Sequence, residues 1–144
     1  MIRSAVKMKK IIAAGLLVLF FIFTGCSAQE QAKGPDRTAA AAPKKLTPQQ
    51  AKTMMDSGSP YTLVDVRTAA EFSTGHIKGA ILFPDNEIAA RASKELPDKD
   101  AVIIVYCRSG ARSSGAAKVL AGLGYTNIYD LGGIINWPYG TVTD

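Results

Sequence analysis

Cys107 is followed by Arg108, Ser109, Gly110, Ala111, Arg112 and Ser113, a run of small residues carrying two guanidinium groups. Before it lies Ala101-Val102-Ile103-Ile104-Val105, continuous, apolar and rich in β-branched residues. That composition suits a strand buried on both faces of a parallel sheet. After it, Ser113 to Leu123 is Ala-rich and reads as a helix. A thiol between a strand end and a helix start faces backbone N–H groups and the positive end of the helix dipole. Such surroundings lower a cysteine pKa from its ordinary ~8.5 by a unit or more. The resulting thiolate attacks electrophilic sulfur or phosphorus. Cys107 is therefore the candidate nucleophile, and Arg108, Ser109, Gly110, Ala111 and Arg112 are the candidate substrate-binding residues. Gly110 permits close backbone approach, Ser109 and Ala111 leave room for an anion, and Arg112 can buttress the loop or fork onto oxyanion atoms. An isolated apolar-flanked cysteine usually belongs to a core; the loop that follows this one argues for chemistry instead.

Strands alternating with helices must position that loop. Thr47-Pro48-Gln49-Gln50 supplies an N-cap, a proline at the first helical position and a capping-box glutamine, so a helix runs from there to about Ser57-Gly58. Tyr61 to Val66 reads as a strand leading into Arg67. Thr68-Ala69-Ala70-Glu71 is a second capping box, opening a short helix that stops at Gly75. Ala80 to Phe83 reads as a strand closed by Pro84, and Asn86 as the cap of a helix from Glu87 to about Leu96. Ala101 to Tyr106 is the buried strand, and Asn127 to Leu131 the last one. This alternation predicts an α/β fold with a mainly parallel sheet, in which ligands bind beyond the carboxyl ends of strands. Cys107 lies at such an end.

The chain has 144 residues, room for one domain of ordinary size. Its formal charge of +5 is concentrated at the start. Arg3, Lys7, Lys9 and Lys10 precede the apolar run Ile11 to Phe23; of 17 basic residues that leaves 13, against 12 acidic ones that all lie later. The remainder is close to neutral, which removes the support for nucleic-acid binding. Basic residues, a short apolar run and then small residues form a secretory signal, shorter than the ~20 apolar residues that span a membrane. Either Met1 or Met8 can be the start. Phe23-Thr24-Gly25-Cys26 resembles a bacterial lipobox, with Phe23 where leucine is usual. The expectation is a signal peptide over 1–25 and a lipidated Cys26. Residues 26–45, rich in Ala, Gln, Lys and Pro, then form a flexible linker, and a folded domain occupies 46–141. An exported chain anchored on the periplasmic side follows, with Ser27 favouring the outer membrane in a Gram-negative host. Lipidation leaves Cys107 as the sole thiol, so no internal disulfide forms. One Cys and one His build no metal cluster, and neither metal nor cofactor is expected.

The chain also resembles the rhodanese-like family of single-domain sulfurtransferases. Asp65-Val66-Arg67, Glu71-Phe72, Gly75-His76-Ile77, Gly79-Ala80 and Pro84 are similar to the family's first signature. The stretch from Cys107 to Ser113 is similar to its active-site loop. Gly124-Tyr125, Asn127-Ile128-Tyr129, Leu131, Gly133 and Trp137 are similar to its C-terminal signature. The resemblance spans about Leu46 to Trp137. It implies an open parallel sheet of about five strands flanked by helices, and ping-pong transfer of sulfane sulfur through a Cys107 persulfide. Donor and acceptor would be a small sulfur-donor anion, such as thiosulfate, and a thiol or other nucleophile. It further implies that Arg108 meets the donor's oxyanion and Arg112 orders the loop. Asp65 and Arg67 would brace the loop, His76 would be structural, and Trp137 would cover the C-terminal core. A monomer is expected.

Two other functions compete. Cys-dependent phosphatases and arsenate reductases place five residues between Cys and Arg, whereas four separate Cys107 from Arg112; the tighter ring suits a sulfur atom. No acidic residue near the loop offers a leaving-group acid. A non-catalytic persulfide carrier or redox-sensing module is the other alternative, against which the complete loop argues for turnover.

Overall fold

The computed structural model describes residues 41–143. The expected signal peptide, Cys26 and most of the expected linker lie outside the described residues. Ten elements follow in order: β1 (Lys44–Lys45), α1 (Pro48–Asp56), β2 (Thr62–Asp65), α2 (Ala69–Ser73), β3 (Ala80–Leu82), α3 (Ile88–Glu95), β4 (Val102–Cys107), α4 (Ala111–Gly122), β5 (Asn127–Gly133) and a 3₁₀ turn over Ile134–Asn136. The five strands form one parallel sheet in the order β1-β5-β4-β2-β3. The expected α/β sheet flanked by helices is what forms.

β4 is central and buried from Ile103 to Cys107. Its side chains alternate between faces, as a strand's must. Ile103, Val105 and Cys107 enter a core layer with Ala116, Ala117 and Leu120 of α4 and Ile88 and Ala92 of α3. Ile104 and Tyr106 enter the other, with Ala51, Met54 and Met55 of α1 and with Trp137. Each fully buried aliphatic side chain in these layers contributes ~1.5–3 kcal/mol relative to exposure. Cys107 thus shares the face that α4 covers, which puts its sulfur against that helix's N-terminus.

Both capping boxes form. Thr47 Oγ1 accepts from Gln50 N, and Thr47 N donates to Gln50 Oε1; Thr68 and Glu71 repeat the arrangement at α2. The expected Asn86 cap does not. Asp85 N donates to Val66 O and Glu87 N to Pro84 O, so this turn carries Glu87 rather than Asn86 to the helix entry. Glu87 makes no side-chain cap, and its carboxylate pairs with Arg91 instead.

Three boundaries also differ. Lys44 and Lys45, expected in the linker, are β1: Leu46 N donates to Asp130 O, and the Lys45 ammonium pairs with the Asp130 carboxylate. At the other end, His76 and Val142 exchange two backbone hydrogen bonds of 2.9 Å, so the domain reaches past residue 141. β5 continues beyond Leu131 because its register shifts: Val105 faces Asp130 but Tyr106 faces Gly132. Gly132, at φ +84°, takes the backbone conformation this bulge needs. Gly133 is thereby set beside Cys107.

Candidate active site

At the carboxyl end of β4, residues 108–110 turn the chain into α4. Gly110 caps that helix at φ +105°, a left-handed conformation that a side chain would strain. The turn brings Gly110 N to 3.1 Å from Cys107 Sγ, and the N–H donates to the sulfur. Burial is the largest influence on this thiol and pushes its pKa up. The amides of Ser113, Gly110 and Ser109 and the Ser113 hydroxyl together outweigh it, so the net shift is downward. The cysteine is 1% exposed, hence its anion depends on these donors rather than on water.

The loop is pinned on two sides. Gly133 lets β5 approach: a Cβ there would lie 2.7 Å from Arg108 O and 2.8 Å from Ser109 Cα. On the same side, Ile135 N donates to Arg108 O at 3.3 Å. From α2, Glu71 accepts both arms of the Arg112 guanidinium, at 2.8 and 2.7 Å. Ala111 opens α4 at the surface, and the Arg108 side chain is exposed. The structure therefore gathers Cys107 to Arg112 into one turn, with Arg112 engaged by Glu71 and Arg108 open to solvent.

Asp65 and Arg67 sit elsewhere than expected. The Arg67 guanidinium forks onto the Asp65 carboxylate and donates to Gly75 O at 2.8 Å. The pair therefore ties the turn after β2 to Gly75, between α2 and β3, and makes no hydrogen bond to residues 108–112. It also reaches Tyr106, the residue before Cys107, whose phenol bonds the Asp65 carboxylate and whose ring lies 5.8 Å from the Arg67 guanidinium carbon. Burial raises the Tyr106 phenol pKa, and its oxygen accepts from Ile77 N. His76 is buried, stacked on Phe72 at 3.7 Å between ring centroids. That environment fits the structural place expected for it. Trp137 packs on the α1 side of the sheet.

An acidic group does stand beside the loop, contrary to the sequence reading. Glu71 is legible in sequence only as a capping-box residue, and its bond to Arg112 crosses 41 positions. Arg112 chiefly, opposed by partial burial and aided by Thr68, holds its carboxyl at a pKa of about 2. A carboxylate so strongly held is no proton donor at neutral pH and cannot serve as a phosphatase's leaving-group acid. A carboxyl depressed from ~4.3 when unfolded stabilises the fold above that range and loses its contribution as pH falls toward the folded value. Glu71→Gln retains a capping-box side chain and removes the ion pair. The urea-stability gap between wild type and this variant is expected to be constant above about pH 5 and to shrink on acidification from there. A gap that widened in acid would rule this role out.

Residues 47–138 match the family model for the rhodanese-like domain. Thiosulfate sulfurtransferase PspE of Escherichia coli is 35% identical over 71 residues, which cover 49% of this chain and 68% of that protein. Thiosulfate sulfurtransferase GlpE of Haemophilus influenzae is 38% identical over 95 residues, covering 65% and 87%. A sulfurtransferase of Allochromatium vinosum is 47% identical over 76 residues, covering 52% and 69%. Among solved structures, a rhodanese-like domain protein of Staphylococcus aureus superposes with a TM-score of 0.61 at 26% identity, over 70% of this chain and 98% of that one. An E. coli rhodanese with anions gives a TM-score of 0.56 at 30% identity, over 59% and 100%.

Proposed function

The chain belongs to the rhodanese-like domain family, and from that membership we propose that it is a sulfurtransferase working through a Cys107 persulfide. The observation that carries this reading is the sulfur itself, buried, facing the amides of residues 109, 110 and 113, and depressed in pKa. The Cys107 thiolate attacks the sulfane sulfur of thiosulfate. A Cys107 S–S bond forms, the donor's S–S bond breaks, and sulfite leaves with the electron pair. A nucleophilic acceptor then attacks the outer sulfur and restores the thiolate; cyanide as acceptor leaves as thiocyanate. No proton need move in either step, which suits a site whose nearby carboxylate is held ionised.

The amides that stabilise the thiolate extend the same stabilisation to the persulfide anion. Arg108, exposed at the loop, meets the donor's sulfonate, whereas Arg112, bonded to Glu71, orders the loop. Full-length protein incubated with thiosulfate is expected to carry one added sulfur on the tryptic peptide Asp100 to Arg108. Cyanide then removes that sulfur as thiocyanate. A peptide unchanged in mass while Cys107 remains alkylatable excludes the persulfide. An adduct that cyanide leaves in place points to the carrier reading.

We also propose that the chain is exported and held at a membrane by acyl chains on Cys26. The basic leader, the apolar run and Gly25-Cys26 support this. Acyl mass on an N-terminal Cys26, and partition into the detergent phase that is lost in Cys26→Ser, are the expected results.

A further inference from the structure

Asp130 is a carboxylate almost fully enclosed beside the cysteine loop, 2% exposed, and Ser113 is 0% exposed. Ser113 Oγ lies 2.7 Å from Asp130 Oδ1, 3.1 Å from Gly110 O and 3.4 Å from Gly132 O. Ser113 stands in the first turn of α4, its hydroxyl on the carbonyl of the same Gly110 whose amide donates to Cys107 Sγ, and it is among the groups that hold the thiol's pKa down. A hydroxyl has one hydrogen to donate. Asp130 and the Cys107 anion therefore compete for it, and the stronger acceptor takes it. Asp130 Oδ1 is partly satisfied by Gly132 N at 2.9 Å. Its Oδ2 faces the ammonium of Lys45. That lysine's side chain is 71% exposed and stands on β1, the edge strand.

Resting on the reading of Cys107 as a working thiolate, we propose that Lys45 is a positioning residue for Cys107, neutralising Asp130 so that the Ser113 hydroxyl is left for the sulfur. Other charges around the site are held by partners within it or face it from nearby. From α4 comes Arg112, bonded to Glu71 of α2, with Asp85 acting on the same guanidinium. Arg108 stands on the loop, and Lys118 of α4 lines the groove over Asp130 with Lys45. Without Lys45, two effects act in the same direction. The uncompensated Asp130 charge repels the thiolate, and Asp130 draws the hydroxyl hydrogen more strongly. Both raise the thiol pKa. Removing the Asp130 charge reverses both.

The test is the pH dependence of iodoacetamide alkylation in the full-length chain, read on the tryptic peptide Asp100 to Arg108 so that Cys26 does not interfere. Lys45→Met is expected to raise the midpoint by about half a pH unit and Asp130→Asn to lower it by a similar amount. Added to Asp130→Asn, Lys45→Met shifts nothing further. Lys45→Arg restores the wild-type midpoint, and salt shrinks the Lys45→Met shift because the ammonium is exposed. A Lys45→Met midpoint that is unchanged or lower overturns the proposal, as does an equal rise in the Asp130→Asn background. Should Asp130→Asn fail to fold, Lys45→Met against Lys45→Arg still decides. Alkylation does not depend on sulfur transfer, so these shifts without thiocyanate formation would sink the sulfurtransferase reading alone.

Discussion

Cys107→Ser is expected to lower thiocyanate formation from thiosulfate and cyanide by on the order of 10³-fold or more, as loss of a covalent nucleophile does elsewhere. The substitution leaves the surroundings in place. The Gly110 amide that donates to Sγ at 3.1 Å can donate to a hydroxyl oxygen in the same pocket. A serine hydroxyl has no accessible anion at neutral pH and cannot form the S–S bond that stores the transferred sulfur. Activity should therefore vanish while the urea midpoint moves little, since a polar atom placed among existing donors costs only about 1 kcal/mol or so. Wild-type turnover in Cys107→Ser would refute the mechanism outright. Cys26→Ser, in contrast, should leave turnover in detergent unchanged, because the proposed role of Cys26 is the anchor and not the chemistry.

The site was most legible where function uses local sequence. The strand before Cys107, the small-residue loop and the helix after it occupy adjacent positions, and both capping boxes are written within four residues each. Long-range partners leave weaker traces. Glu71 was visible as a helix cap, but nothing in its neighbours tells that its carboxylate also grips Arg112 across the fold. Asp130 reads as an ordinary strand residue, and its burial depends on a bulge that only the pairing of β4 with β5 creates. The Gly132-Gly133 pair was the available signal for that bulge, since two glycines at a strand end imply an unusual turn or a close contact. Lys44 and Lys45 misled for the opposite reason. Two lysines after an Ala- and Pro-rich stretch have the composition of a solvated tether, yet an edge strand accepts such residues because one side faces water.

Arg67→Met is expected to have the largest effect on stability, with a loss of ~3–5 kcal/mol. Asp65 is 0% exposed, and its carboxylate is held by the Arg67 guanidinium and by the Arg67 amide at 2.9 Å. Methionine fills much of the same volume but leaves the buried carboxylate with no cation, held only by the Arg67 amide and the Tyr106 phenol. Gly75 O loses its guanidinium donor in the same step. Against a typical domain stability of 5–15 kcal/mol, and at a slope of ~1.5 kcal/mol per M, the urea midpoint should fall by roughly 2–3 M. Arg67→Lys should recover only part of this, because a point charge cannot reproduce the fork. Asp65→Asn combined with Arg67→Met should be less damaging than Arg67→Met alone, since no unpaired charge remains. The pair bonds to Gly75, between α2 and β3, and not to residues 108–112 of the cysteine loop. The Arg67→Met protein that remains folded should accordingly keep most of its thiocyanate rate at low temperature. Cys107→Ser and Arg67→Met then fail in opposite ways, one active-site dead and stable, the other unstable and active. Should Arg67→Met abolish turnover while still folded, the pair belongs to the site, and the bracing assigned to Glu71 and Arg112 is incomplete.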